Sequence, residues 1–151
     1  KPIADAKAYL DAKGVKYIEK TGNTTDEVLS AASELAERCD AVFTPTDNVV
    51  MAAESAVAEI LNEAGVPHYT GADSFVYSGA FTTCGVNYTE LGEKTAEMAF
   101  DILLGGEIPA YKVMDGGIIT VNTEVAAKLG IDYSAFNDMA NTVIEVVTSE
   151  E

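Results

Sequence analysis

Short apolar runs in this chain repeatedly end in polar residues suited to hold a small molecule. Ala41–Thr44 stops at Pro45 and opens into Thr46, Asp47 and Asn48. Val66–Thr70 opens into Gly71, Ala72, Asp73 and Ser74, and Ala80–Cys84 opens into Gly85, Val86, Asn87 and Tyr88. An Asp just past a strand end can hold a ligand's ammonium or hydroxyl group, or take a phosphoryl group. It can equally serve only as a turn or cap residue, because Asp and Asn favour such positions intrinsically. Asp73 and Ser74 follow Gly71, whose missing side chain lets backbone approach a ligand closely; an ordinary loop with a capping Asp also fits. Asn87 and Tyr88 offer a hydrogen bond and an aromatic wall, or Asn87 merely caps the helix behind it. Phe75 and Tyr77 are bulky for a loop and read as pocket lining rather than core.

Other chemistry finds little support. A phosphoacceptor domain also needs an acidic pair after its first strand and a Lys after a later one, and no such Lys follows Cys84. His68 is the single histidine and sits in an apolar run, so it reads as a core or edge residue. One His and two distant cysteines do not make a zinc site. Gly-x-Gly-x-x-Gly is absent, which disfavours nicotinamide cofactors, and no Ser-His-Asp arrangement is legible. No enzyme and no cofactor are expected. Cys39 and Cys84 lack metal or redox spacing and read as small core-filling residues.

Strands that alternate with helices are needed to gather these loops. Ile3–Lys13 has a helical period closed by Gly14, Val15–Ile18 reads as a strand, and Thr24 with Glu27 has capping-box spacing. Val28, Ala31, Ala32, Leu35 and Ala36 form the next stripe. Asn48 is the expected N-cap of a helix to Ala64, with Val50, Ala53, Val57, Ile60 and Leu61 facing inward. Residues 73–79 have room for one helical turn. A long helix spans 88–104, strands surround Gly116-Gly117, Asn122 caps a helix over Val125–Leu129, and Phe136 to Val147 predict a C-terminal helix. Alternation of this kind predicts a three-layer α/β, Rossmann-like (flavodoxin-like) domain. Its parallel strands include 15–20, 41–44, 67–70 and 80–84, and its ligand loops share the carboxyl rim.

Composition agrees with one folded domain. The chain has 151 residues, 48% of them hydrophobic, and 9 basic against 25 acidic residues give a formal charge of −16. A nucleic-acid footprint should be basic, so such partners are disfavoured. No apolar run approaches the roughly 18–20 residues that span a bilayer, and Lys1-Pro-Ile-Ala lacks signal-peptide character.

Three motifs, in order, carry a resemblance. Asp40-Ala-Val-Phe-Thr-Pro-Thr-Asp-Asn-Val-Val50, Gly85-Val-Asn-Tyr-Thr-Glu-Leu-Gly92 and Val121-Asn-Thr-Glu-Val-Ala-Ala-Lys-Leu-Gly-Ile131 resemble ABC-transporter substrate-binding proteins of the tryptophan/tyrosine type over residues 1 to about 133. The resemblance implies the type I periplasmic-binding fold, in which two lobes close on a solute and dock on a membrane permease. It implies a C-terminal lobe at 1–87, with a first strand that would precede Lys1. A crossover helix at 88–106 would pack on the other lobe, and 107–151 would return to the first. Thr46, Asp47, Asn48, Asp73, Ser74, Asn87 and Tyr88 are then ligand-binding candidates supplying half a site. The implied ligand is an amino acid, aromatic in the best-known cases, bound at the extracellular face of the membrane or in the periplasm by a lipid-anchored or secreted protein. Self-association of the lone lobe is a further expectation. The alternative is the effector-binding domain of a LacI-type transcriptional regulator, which has a similar fold.

Overall fold

The computed structural model describes residues 1–86, 88–108 and 116–149. Five strands form one sheet: β1 (Val42–Thr44), β2 (His68–Thr70), β3 (Thr82–Gly85), β4 (Ile118–Asn122) and β5 (Thr142–Val146), in that spatial order. β1, β2 and β3 are parallel, β4 is antiparallel to β3, and β5 runs parallel to β4. The sheet is therefore mixed but mostly parallel, flanked by helices. Its strands at 42–44, 68–70 and 82–85 lie within a residue or two of the expected positions.

Helices α2 (Thr25–Ala36) and α3 (Asn48–Glu63) cover one face. Val28 and Ala32 of α2 pack with Ala53, Val57 and Leu61 of α3 against Val42 and Val66. The helix ends follow local chemistry. Thr24 Oγ1 accepts from the Glu27 amide, and Glu27 Oε2 accepts from the Asn23 amide, as a capping box requires with the return bond moved by one residue. Gly65 follows α3 at φ 76°, a left-handed backbone that glycine adopts without penalty. Short α4 (Asp73–Tyr77) buries Phe75 among Ala72 and Ala80. Phe75 is thus core rather than pocket lining, while Tyr77 is largely exposed. Further along, α6 (Thr123–Leu129) is capped by Asn122, whose Oδ1 accepts from the amides of Glu124 and Val125. Its Val125 and Ala126 gather with Phe81, Val121 and Phe136 in a second cluster.

Three further expectations are corrected. Residues 15–20 form no strand: Val15, Tyr17 and Ile18 are exposed, and the segment joins no ladder. An extended segment outside the sheet has no strand to take its ladder bonds. What tethers this one is a turn bond from Val15 N to Leu10 O, exposed contacts of Tyr17 with Asp11 and Lys7, and two exposed ion pairs, Lys7–Glu19 and Lys20–Glu34, which are worth little. The preceding α1 (Pro2–Lys13) likewise buries no side chain. The C-terminal helix is also absent. Only α7 (Phe136–Met139) is helical, and 142–146 is β5. The β-branched run Thr142-Val143-Ile144 is stiff at χ1 and suits a strand. β4 offers it a free edge, and Gly117 O accepts from the amides of Asn141 and Thr142. Cys84 is exposed and Cys39 half-buried, both as free thiols, so Cys84 does not fill the core.

Candidate ligand-binding site

The first rim loop leaves β1 at Thr44 and turns at Pro45 into α3. Asp47, not Asn48, is the N-cap of α3. Its Oδ1 accepts from the amides of Val49 at 2.8 Å and Val50 at 3.1 Å. Those amides have no intrahelical acceptor, which is what a capping carboxylate satisfies. Beneath the loop lies a buried polar group that sequence patterning missed. Glu54 projects from α3 toward the sheet beside His68, and both are at most 1% exposed. His68 Nδ1 is 3.0 Å from Glu54 Oε1, off the line of a good hydrogen bond, and His68 Nε2 lies 2.9 Å from Thr44 Oγ1. Burial pushes the Glu54 carboxyl above the usual carboxylate range, and the contact with His68 pulls it partly back. His68 is thus a core histidine that ties the end of β1 to α3. Its partner is a Glu on the helix's buried stripe, an exception that a hydrophobic period does not reveal.

The second rim loop leaves β2 at Thr70, whose hydroxyl donates to Ala72 O at 3.2 Å. A side chain at Gly71 would place its Cβ 2.6 Å from Thr46 N and 2.8 Å from Thr46 Oγ1. The two loops are therefore in direct contact, and only glycine allows it. Asp73 opens α4, whose N-cap Ala72 has no side-chain acceptor to offer. Unlike Asp47, the Asp73 carboxylate makes no hydrogen bond or ion pair among the described residues.

An open pocket of about 370 Å³ lies at this rim. Gly71, Ala72 and Asp73 form one side, and Gly85, Val86, Tyr88 and Thr89 from the end of β3 and the start of α5 (Tyr88–Leu103) form another. The floor is the sheet itself: Thr83, Ile118, Thr120 and Ile144. Register puts Thr83 opposite Thr120, and Thr120 opposite Ile144, so these side chains share one face. The order explains why β4 contributes: it is antiparallel, so its first residues lie at the carboxyl rim of β3.

Of the candidates read from sequence, Asp73 and Tyr88 line the pocket. Thr46, Asp47 and Asn48 stand in the adjoining loop, exposed. Ser74 is exposed on α4 and outside the pocket lining, and Asn87 lies outside the described residues. The floor residues carry no local motif, since their meeting depends on strand pairing between segments about 35 and 24 positions apart. Among the described residues no group of three or more His, Cys, Asp or Glu is arranged to hold a metal ion, and no helix is long and apolar enough to cross a membrane.

The family model for "ABC transporter substrate binding protein" matches residues 2–142. The chain belongs to that family. This ABC transporter substrate-binding chain is 32% identical over 114 residues to a tyrosine-binding protein of Clostridioides difficile (strain R20291), covering 74% of the chain and 33% of that protein. It is similar to a ligand-free, open structure of a substrate-binding protein with adhesive properties from Clostridium difficile. That likeness has 31% identity and a TM-score of 0.76 over 97% of this chain and 49% of the other. A fold match at 23% identity and TM-score 0.78 is to an ABC domain in complex with L-Trp from Streptococcus pneumonia, over 95% of this chain and 50% of that one. The substrate-binding chain thus spans between a third and a half of these relatives' lengths.

Proposed function

We propose that this chain forms one lobe of the solute-binding component of an ABC importer. It captures an amino acid, aromatic in character, and delivers it to a membrane permease at the extracellular face or in the periplasm. The observation that carries the reading is the rim pocket. It places an uncommitted carboxylate, Asp73, across from the ring of Tyr88, over a floor that mixes isoleucine with threonine. Ligand sites have this composition, mostly apolar walls with a few placed polar groups. A carboxylate within such walls suits an ammonium, and the formal charge of −16 favours cationic groups over anions. The related tyrosine-binding protein supports the choice of ligand class.

Asp73 and Tyr88 are the central contacts in this reading, with Thr46, Asp47, Asn48 and Ser74 around them; Asn87, outside the described residues, stays a ligand-binding candidate on its sequence motif. A second lobe closes over the pocket, and residues 88–106 cross to it. α5 fits that role, because it buries none of its side chains on this lobe although it has a clear apolar stripe. Residues 1–87 and 107–151 make up the lobe itself. The family is one of substrate-binding proteins, and the reading here is binding rather than catalysis.

The test is titration calorimetry of the full-length protein against the twenty amino acids. Binding of one or more aromatic amino acids, lost in Asp73→Asn, is the expected result. Binding with undiminished affinity in Asp73→Asn would remove the ammonium from this pocket, and no binding by any amino acid would overturn the ligand class.

A further inference from the structure

The sheet carries a row of four threonines across four strands. Register sets Thr44 beside Thr70, Thr70 beside Thr83 and Thr83 beside Thr120. Three of the hydroxyls are engaged inside the protein. Thr44 Oγ1 meets His68 Nε2 at 2.9 Å, Thr70 Oγ1 donates to Ala72 O, and Thr83 Oγ1 donates to Thr70 O at 2.7 Å. Thr120 is different. It is 4% exposed and lines the pocket floor, and its hydroxyl has no hydrogen-bond partner among the described residues. The hydroxyl is not sealed in the core but opens onto the pocket, where a ligand can reach it.

Ile118 stands two residues from Thr120 on the same strand and Ile144 directly opposite on β5; the other floor threonine, Thr83, already donates to Thr70 O, which leaves Thr120 as the floor hydroxyl with no such bond. Asp73 follows β2 and Thr120 lies on β4, two strand spacings away, which is roughly 10 Å across the sheet. A molecule held by its ammonium at Asp73 would lay a flat apolar body over the isoleucines and bring its tip toward Thr120.

We propose that Thr120 is a specificity-determining residue of this site: its hydroxyl pairs with a hydrogen-bonding atom at the far end of the ligand's side chain. The site then prefers an aromatic side chain that ends in a hydroxyl or ring N–H over one that ends in hydrocarbon. A threonine hydroxyl both donates and accepts, so it serves a phenol or an indole. The inference rests on the amino-acid reading above and adds to it a choice among aromatic ligands. Discrimination arises because a hydrocarbon tip would bury the Thr120 hydroxyl without a partner, a cost that corresponds to roughly tenfold or more in affinity.

Calorimetry on the full-length protein with tyrosine, tryptophan, phenylalanine and 4-fluorophenylalanine tests it. Tyrosine or tryptophan should bind about tenfold or more tighter than phenylalanine, with 4-fluorophenylalanine behaving like phenylalanine. Thr120→Val, which keeps the shape and removes the hydroxyl, should bring that ratio below about threefold, with phenylalanine bound more tightly than by the wild type and tyrosine and tryptophan more weakly. Thr120→Ser should retain the preference. A preference that survives in Thr120→Val overturns the role of Thr120 but leaves the amino-acid site standing. So does phenylalanine binding the wild type as tightly as tyrosine and tryptophan, a result that needs no variant to fold. Failure of all four ligands to bind overturns the ligand reading and this inference together.

Discussion

Asp47 and Asp73 occupy loops built on one plan: a short strand, a turn, an acidic residue and a helix. In the first loop the carboxylate closes the amino end of α3 through the amides of Val49 and Val50. In the second it stands beside the pocket with no described partner. The helices account for the difference. α3 is 16 residues long and has Asp47 itself as its N-cap, whereas α4 is five residues long and has Ala72 as its N-cap, one position before the acid. One residue of offset turns a capping group into a group available to solvent and ligand. The comparison teaches that an Asp after a strand announces a rim position, and that its use depends on where the helix begins.

The comparison can be broken most sharply by removing each carboxylate from the full-length protein. Asp73→Ala should lower affinity for the amino-acid ligand by about 2–5 kcal/mol if the acid pairs with the ammonium, with little change in melting temperature. Gly71→Ala tests the contact between the loops. A methyl group 2.6 Å from Thr46 N must push backbone apart, so a destabilisation of about 1–3 kcal/mol is expected in denaturant melts, together with weaker binding. Asp47→Ala should cost about 1 kcal/mol of stability through the lost cap and change affinity by less than about threefold. A tenfold loss of affinity in that variant would make Asp47 a ligand contact through its second oxygen and end the contrast.

A smaller effect concerns the support under the first loop. Glu54 is held above its ordinary carboxylate range by burial, so the folded state binds the proton more tightly than the unfolded state does. Stability from this group is fully present below the unfolded value of 4.5 and is lost as pH rises through the raised folded value. Thermal melts across that range should show the decline in the wild type and a flatter profile in Glu54→Gln; identical profiles would remove Glu54 as its source. The least stability change is expected on α5, where Phe100 and Leu103 are 62% and 84% exposed. Replacing both by Ser should alter the stability of the isolated chain by no more than about 0.5 kcal/mol each. It should also reduce the self-association that an uncovered apolar stripe favours. Light scattering that finds the unsubstituted chain monomeric at high concentration would remove this last expectation.

Much of the architecture was legible from local patterns. The periods of α2, α3 and α5, the caps at Thr24 and Asn122 and the glycine stop at Gly65 are decided by residues within a turn or two of each other. The polar loops after β1 and β2 were legible as well, because turn chemistry and strand ends are local. The segment 15–20 and the stretch 136–147 misled for the opposite reason. A strand exists only where a neighbour takes its backbone hydrogen bonds, so Val15–Ile18, apolar but unpaired, stays out of the sheet. Thr142–Val146 fits a helical period as well as a strand, yet joins β4 because the edge is there.

By itself, then, the sequence determined the α/β class, the packed helices, the rim loops and membership of the ABC transporter substrate-binding family. Tertiary structure alone decided that β4 runs antiparallel and brings Ile118 and Thr120 under the pocket. It also set Glu54 against His68 inside the core and gave Asp47 and Asp73 different work. The physical reason is reach. Propensity, capping and periodicity act over a few residues, whereas the pocket floor and the buried pair come from contacts across 14 to about 35 positions that form only when strands choose their neighbours.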